Sequence, residues 1–312
     1  MNISVVIPVY NEEANIEPLY KRLTGVLEQL QGEYEILVID DGSKDNTNDI
    51  LRRLAEKDKK LKVIKFSRNY GQTAALQAGF KTSSGEIIVT MDGDLQNNPE
   101  DIPGMLQEMG RGNTDVVSGW RYPRRDSFPR RIVSSIANLM ISKICGLKLH
   151  DYGCTLKVYR SRHVKDLDLY GEMHRFIPAF INWNGGKVIE TKVSHNPRVH
   201  GKSSYGMTRI HRVVLDLITT KFLTTYSSKP IHIFGAMGLF SIFLGISTTA
   251  YVIIRRVYMQ GHWMSPLFFI SVFLLGLGLI FILMGIIAEI AVRIYFSFEN
   301  KVPYKIDNEI NS

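Results

Sequence analysis

The stretch Thr90-Met91-Asp92-Gly93-Asp94-Leu95-Gln96-Asn97-Asn98-Pro99 decides how this chain is read. The apolar run that enters it, residues 86–91, has the length and content of a buried strand. The run stops at two carboxylates spaced i, i+2, with the carboxamide of Gln96 two residues on and Pro99 suited to opening a helix. Carboxylates at the carboxyl end of a parallel strand lie in the crevice where open α/β sheets bind ligands. Asp92, Asp94 and Gln96 offer only oxygen, a donor set for Mg²⁺ or Mn²⁺ rather than zinc. An isolated Asp-x-Asp is usually a solvated turn, and its place after a strand is what gives it weight.

Upstream, Ile3-Ser4-Val5-Val6-Ile7-Pro8-Val9 reads as a central strand that Pro8 ends, and a helical pattern follows through Leu19, Leu23, Val26 and Leu27. The turn between them carries Tyr10, Asn11, Glu12 and Glu13 in place of Gly-x-Gly-x-x-Gly, which counts against a dinucleotide dehydrogenase. A second strand at 34–39 ends in Asp40-Asp41-Gly42-Ser43, and Asp45, Asn46 or Thr47 is placed to cap the next helix. For the Asp pair, turn chemistry competes with a binding role, more strongly at Asp40 than at Asp41. A third strand at 61–66, a helix at 72–81, the strand before Asp92, a helix at 99–109 and a strand at 115–119 continue the alternation. That order predicts a parallel, doubly wound sheet.

Five arginines then crowd residues 121–131 against one carboxylate, Asp126. Charge runs are usually solvated faces, but an all-Arg run offers planar forks that pair bidentately with phosphate. Residues 132–147 follow as an amphipathic helix suited to a membrane surface. Residues 151–160 read as a turn into a strand, 172–178 as a helix start, 188–193 as a strand, 195–204 as a basic loop and 207–222 as an amphipathic helix. His174 alone is read as a satisfied structural histidine.

With 312 residues, 45% of them apolar, the chain can bury a large core. Its net charge of +8 favours anionic partners. Cys145 and Cys154 form neither a disulfide framework nor a metal spacing, and reduced thiols are expected. The chain enters a strand at once, so no cleavable signal is expected. Residues 231–254 and 267–288 are apolar stretches of spanning length joined by a short loop, which predicts a hairpin with both ends on one side. Lys221, Lys229, Arg293, Lys301 and Lys305 place that side in the cytoplasm, although Arg255 and Arg256 dilute the count.

Together these residues resemble membrane-bound members of glycosyltransferase family 2, and among them the polyprenyl-phosphate glycosyltransferases. The resemblance spans about residues 1–300 and rests on Val6-Ile7-Pro8-Val9-Tyr10-Asn11-Glu12-Glu13, Val38-Ile39-Asp40-Asp41-Gly42-Ser43, Asp92-Gly93-Asp94-Leu95-Gln96 and the two C-terminal spans. It implies a GT-A catalytic domain at 1–228, its nucleotide-sugar half at 1–120 and its acceptor half at 121–228. A transmembrane hairpin at 229–298 and a cytoplasmic tail at 299–312 follow. It implies nucleotide contacts from Pro8, Tyr10, Glu12, Asp41 and Asp92, and a Mg²⁺ or Mn²⁺ ion held by Asp92, Asp94 and Gln96. Asp94, Arg121 and Arg130 are the implied catalytic residues, the two arginines meeting phosphate, and Arg131, Asp151, Lys202 and Ser203 the implied acceptor contacts. Two departures stand out: the usual Asp-Ala-Asp is Asp92-Gly93-Asp94, expected to be harmless, and a Gly-x-Ser-Lys loop reads Gly201-Lys202-Ser203-Ser204.

The implied reaction is inverting transfer from a UDP- or GDP-sugar to polyprenyl phosphate at the cytoplasmic membrane, with no nucleic acid involved and a homo-oligomer as one possible state. A processive polysaccharide synthase is the first rival, but Trp120, Trp183 and Trp263 lack its Gln-x-x-Arg-Trp context and two spans are few for a channel. A membrane-anchored nucleotide sensor is the second, and the intact carboxylate pair speaks against it.

Overall fold

The computed structural model describes residues 2–30, 32–122, 138, 141–142, 145–169, 171, 173–196, 231–259, 266–297 and 306–310. Arg130 and Arg131, most of the amphipathic run at 132–147, Lys202 and Ser203 in their loop, and the run at 207–222 lie outside the described residues. The chain divides into two compact units, Met1–Ile218 with Val302–Ser312, and Thr219–Lys301.

The first unit is built on an eight-stranded sheet in the order β7-β5-β6-β4-β1-β2-β3-β8. Strands β1 (Ile3–Val9), β2 (Tyr34–Asp40), β3 (Leu61–Phe66) and β4 (Ile87–Thr90) are mutually parallel. They are joined by α1 (Glu13–Leu27), α2 (Thr47–Lys57) and α3 (Gln72–Thr82). The chain moves outward from β1 to β2 and β3, then returns to lay β4 on the other side of β1. The carboxyl ends of β1 and β4 therefore border a topological switch point, the usual crevice of such sheets. Beyond α4 (Ile102–Arg111), β5 (Val116–Arg121) pairs in parallel with β7 (Val188–Val193). Between β4 and β5 lies β6 (Lys157–Arg160), antiparallel to both, so the sheet is mixed and mostly parallel, in keeping with the mostly parallel GT-A sheet expected. A short helix, α5 (Ile177–Trp183), precedes β7.

Alternation along the strands sorts the core into two layers. Val5, Ile7 and Val9 pack with Leu19 and Leu23 of α1, Leu51 of α2 and Met105 of α4, while Val6 packs with the other face. There α3 presents Ala74, Ala75, Ala78 and Gly79, and a Cβ on Gly79 would collide with Val6. Small residues let this helix lie close against β1.

Pro8 does not end β1 as expected; it pairs with Ile39 and the strand continues to Val9. Pairing between β1 and β4 stops at Val6–Thr90, and Val9 bonds toward β2 through the Asp41 amide. Alternation therefore turns Pro8 toward the side that β4 has already left, and its missing N–H breaks no ladder bond.

The residues expected to form a cytoplasmic tail are 299–312. Within them β8 (Ile306–Ile310) pairs antiparallel with the edge strand β3, Val63 opposite Ile310 and Ile64 opposite Glu309. Its sequence, Ile-Asp-Asn-Glu-Ile, has β-branched residues only at its two ends, around Asp, Asn and Glu, which are depleted in strands, and neighbour pairing overrides propensity here.

The second unit contains α6 (Ile231–Met259) and α7 (Pro266–Ser297), both long and apolar enough to cross a membrane. They pack through small residues: a Cβ on Gly238 would stand 2.8 Å from the Gly278 carbonyl oxygen, and one on Gly278 2.8 Å from that of Gly238. Ser241 Oγ donates to the Leu274 carbonyl at 2.8 Å across the same interface. Such close backbone approach is how helices associate where burial from water gives no driving force.

Candidate active site

Three strand ends converge on the crevice. From β1 come Tyr10, 40% exposed, and Asn11, in a left-handed conformation at φ 55°. From β2 come Asp40 and Asp41, and from β4 Asp92 and Asp94.

The turns after β1 and β2 are stitched to each other. Asn11 N–H donates to Ser43 Oγ and Lys44 N–H to Asn11 Oδ1. Glu12 N–H donates to Thr47 Oγ1, and Asn46 donates through its backbone and side chain to Glu13 Oε2. Glu12 accepts from Asn15 Nδ2 at 2.5 Å. Asn46 stands at the cap position of α2 without a capping side-chain bond, and Asp45 Oδ1 accepts from the Thr47 amide instead.

The two aspartates after β2 separate in role. Asp40 does turn chemistry, accepting from Ser43 N–H at 2.8 Å. Asp41 reaches across to the loop after β3, its oxygens accepting from the amides of Tyr70 at 2.7 Å and Gly71 at 2.9 Å. Burial raises its pKa, with the two amides opposing. Gly42 (φ 72°) is needed at this crossing, because a Cβ there would stand 2.5 Å from the Arg68 backbone carbon. Asp41 thus shapes the floor of the expected nucleoside site.

The motif after β4 is folded tightly on itself. Asp94 Oδ1 accepts from Gln96 N–H at 3.2 Å, and Asp92 N–H donates to Asn97 Oδ1 at 2.9 Å. Leu95, buried, adopts φ 63°, a costly conformation for this residue of the kind that collects at functional sites. The β-bridge between Asn97 and His195, with Asn196 N–H bonded to the Gln96 carbonyl, ties the motif to the segment after β7. The departure at Gly93 is matched to its surroundings: a Cβ there would stand 2.7 Å from Val9 Cγ1.

Asp92 Oδ1 accepts from Gln72 Nε2 at 2.8 Å. Burial, then the charge of Asp94, pushes the Asp92 carboxyl up to about 6, against the pull of Thr155, Arg121 and Lys157. A buried carboxylate whose ionisation is opposed by a second one beside it is relieved by a divalent cation. The residues therefore fit a hard metal ion, whose other ligands would be ligand oxygens and water, since the described residues hold no cluster of three or more His, Cys, Asp or Glu side chains.

Arg121 and Asp151, expected at phosphate and acceptor respectively, are brought to each other. Arg121 Nε donates to Asp151 Oδ2 at 2.6 Å and Nη2 to Oδ1 at 2.9 Å, with Asp151 fully buried. The geometry makes Asp151 the buried counter-ion of Arg121. Glu190 in turn accepts from the amides of His150 and Asp151 at 2.9 Å.

Sequence reading passed over Gln72, Asn97, Thr155 and Lys157. Lys157 is buried on β6, its ammonium donating to the carbonyls of Cys154 and Tyr152, and burial lowers its pKa. An isolated Lys in an apolar strand pattern was the available signal. His174 is satisfied as expected, Nδ1 lying 2.7 Å from Thr73 Oγ1. That hydroxyl also donates to the Gly171 carbonyl, so Nδ1 carries the proton.

Residues 4–168 match the model of glycosyl transferase family 2. The chain belongs to that family. Among similar curated members, dodecaprenyl-phosphate galacturonate synthase of Rhizobium johnstonii is 40% identical over 306 residues, covering 95% of this chain and 89% of that protein. Undecaprenyl-phosphate 4-deoxy-4-formamido-L-arabinose transferase of Edwardsiella ictaluri is 35% identical over 313 residues, covering 99% and 94%. Among solved structures, glucosyl-3-phosphoglycerate synthase from Mycobacterium tuberculosis, in complex with Mn²⁺, uridine diphosphate and glucosyl-3-phosphoglycerate, superposes with a TM-score of 0.55 at 18% identity. It covers 70% of this chain and 79% of that one. This family 2 chain is a glycosyltransferase of GT-A-like fold, similar over nearly its whole length to proteins named for sugar transfer to polyprenyl phosphates.

Proposed function

We propose that this family 2 enzyme transfers a sugar from a nucleotide-sugar donor to a polyprenyl phosphate, with inversion at the anomeric carbon, on the cytoplasmic face of a membrane that α6 and α7 cross. The observation that carries the reading is the Asp92–Asp94 pair at the switch point between β4 and β1, in a chain that also has two helices of spanning length. The polyprenyl-phosphate activity named for both relatives supports the acceptor.

In the proposed reaction a lipid phosphate oxygen forms a bond to the anomeric carbon as the bond from that carbon to the diphosphate breaks, and the nucleoside diphosphate leaves with the electron pair. A phosphate monoester has a second pKa of about 6, so the nucleophile is already an anion near neutral pH and no general base is required. Positioning and charge compensation then carry catalysis. Tyr10 offers an exposed ring to the base, and the Asp41-braced turn at Tyr70 and Gly71 walls the nucleoside. Arg121, steered by Asp151, lies next to the carboxylates and faces the diphosphate. Asp92, Asp94 and Gln96 would hold Mg²⁺ or Mn²⁺, which when bound neutralises charge on the departing diphosphate. Arg130 and Arg131 of the arginine-rich stretch, with Lys202 and Ser203, remain the proposed contacts to the lipid phosphate.

Radiolabelled UDP- and GDP-sugars incubated with membranes of the full chain and polyprenyl phosphate test this reading. Label passing into organic-extractable lipid is the expected result. Label in a water-soluble polymer, or donor binding without transfer, would replace it with the synthase or the sensor.

A further inference from the structure

The nucleoside floor and the metal pair are joined by one short stretch, Tyr70-Gly71-Gln72. The Tyr70 and Gly71 amides donate to the two oxygens of Asp41, at 2.7 and 2.9 Å. The next residue, Gln72, donates through Nε2 to Asp92 Oδ1 at 2.8 Å. The start of α3 thus holds a carboxylate that follows β2 and another that follows β4.

This stretch stands on a fixed base. Gly71 occupies the cap position of α3, its carbonyl accepting from the Ala75 amide at 3.2 Å, and the helix is buried from Thr73 to Phe80. Thr73 Oγ1, next to Gln72, is itself engaged by the Gly171 carbonyl and His174 Nδ1. Gln72 is half-buried, and its side chain makes no other hydrogen bond among the described residues. The apolar packing of the helix is made by its neighbours Ala74, Ala75, Leu76 and Ala78. An amide at this position therefore serves Asp92 and not the core.

Asp92 is held from three places: by Gln72, by the Thr155 side chain, and by Asn97, whose Oδ1 accepts from the Asp92 amide at 2.9 Å. Of these, Gln72 alone belongs to the stretch that also meets Asp41. A carboxylate that ligates a metal is normally hydrogen-bonded in turn by an outer partner, which fixes its orientation and tunes its hold on the ion.

We propose that Gln72 is a positioning residue of the donor site, its amide fixing the Asp92 carboxylate for the divalent cation and tying it to the stretch that braces Asp41. A nucleoside seated against Tyr70 and Gly71 and a cation on Asp92 are then set relative to each other by one piece of backbone. This role deepens the function proposed above and rests on its nucleotide-sugar donor. The sequence gave no sign of it, since Gln72 stands in no carboxylate motif.

Nucleotide binding measured with and without metal tests the role. The full chain in detergent, as wild type, Gln72→Met and Gln72→Ala, is titrated calorimetrically with UDP and with GDP, with no lipid acceptor present. Met keeps the length of the side chain and removes the donor. Loss of an outer partner typically costs about tenfold to hundredfold in metal affinity. Both variants should need that much more Mn²⁺ for the same gain in nucleotide affinity, while metal-free nucleotide affinity and the melting temperature stay at wild-type values. In the transfer assay, excess Mn²⁺ should restore kcat. An equal fall with and without Mn²⁺ would make Gln72 a contact of the nucleotide itself and overturn the proposal. Unchanged Mn²⁺ dependence in both variants overturns it too, even where the melting temperature falls. So does a wild type whose binding of UDP and GDP ignores Mn²⁺. If wild type binds a nucleotide with Mn²⁺ but transfers nothing to polyprenyl phosphate, the acceptor reading fails while these titrations still judge Gln72.

Discussion

Arg121 and Asp151 meet fork to fork, at 2.6 and 2.9 Å, with the carboxylate shut away from solvent and the guanidinium reaching the crevice. The pair joins the end of β5 to the turn before β6, and so links the sheet's fold to the charge of its site.

Breaking it is therefore expected to damage both. Removing one partner of a buried pair costs roughly 3 kcal/mol, so Asp151→Ala should melt well below wild type and transfer sugar poorly. Arg121→Lys keeps the charge but not the fork, and should retain stability better than turnover. Thermal unfolding and transfer assays on the two variants check this. An Asp151→Ala protein with wild-type melting and turnover would show that the pair orients nothing.

Asp94→Asn should abolish transfer while leaving the melting temperature nearly unchanged, because it removes a charge from a crevice and not from the core. Chelation should stop the wild-type reaction, and added Mg²⁺ or Mn²⁺ should restore it. Near-normal turnover in Asp94→Asn would mean that the central motif has been misread.

At the opposite end of β5, Asp115 accepts from Arg162 at 2.8 Å, His163 Nε2 at 2.9 Å and the Lys187 amide at 3.0 Å. Burial opposes its charge, yet these bonds hold its carboxyl at about 2, below the ordinary value of 3.8. A depressed folded-state pKa stabilises the protein above the unfolded value and loses that effect as pH falls through the folded one. Wild type should thus outmelt Asp115→Asn at neutral pH, and the gap should close between about pH 4 and pH 2. A gap that stays constant across that interval would assign the effect to something other than the charge.

In the hairpin, Gly238→Val or Gly278→Val places side-chain atoms where the opposing carbonyl oxygen lies 2.8 Å from a Cβ. The helices must separate, and the protein in detergent should lose thermal stability and become more sensitive to protease at the loop between them. Gly276, with nothing near its Cβ position, should tolerate Ala. Equal effects at Gly276 and Gly278 would contradict the packing described.

Much of this was legible in the sequence. The strand-helix alternation through residue 111 and both long apolar helices follow from periodicity, and Asp92 and Asp94 from their place after a strand. What escaped was set by partners distant in sequence. The antiparallel insertion of β6 depends on which strands flank it, and nothing in Lys157-Val158-Tyr159-Arg160 states a direction. The capture of Arg121 by Asp151 bridges thirty positions. Pro8 misled because its missing donor was judged without knowing that β4 stops short of it. Asn97 and Gln72 looked like ordinary polar residues until the fold turned their amides toward Asp92.

The antiparallel pairing of β8 with β3 has a consequence for biosynthesis. Its residues follow both membrane-length helices in the chain, so the ribosome makes them only after it has made those helices. Until then β3 is an uncovered edge, the part of a sheet most prone to pair with other chains. Completion of the catalytic sheet is thereby tied to the arrival of the hairpin. A shortened protein ending before residue 231 would carry that edge permanently, so a fragment meant to stay soluble needs 306–310 joined back by a linker.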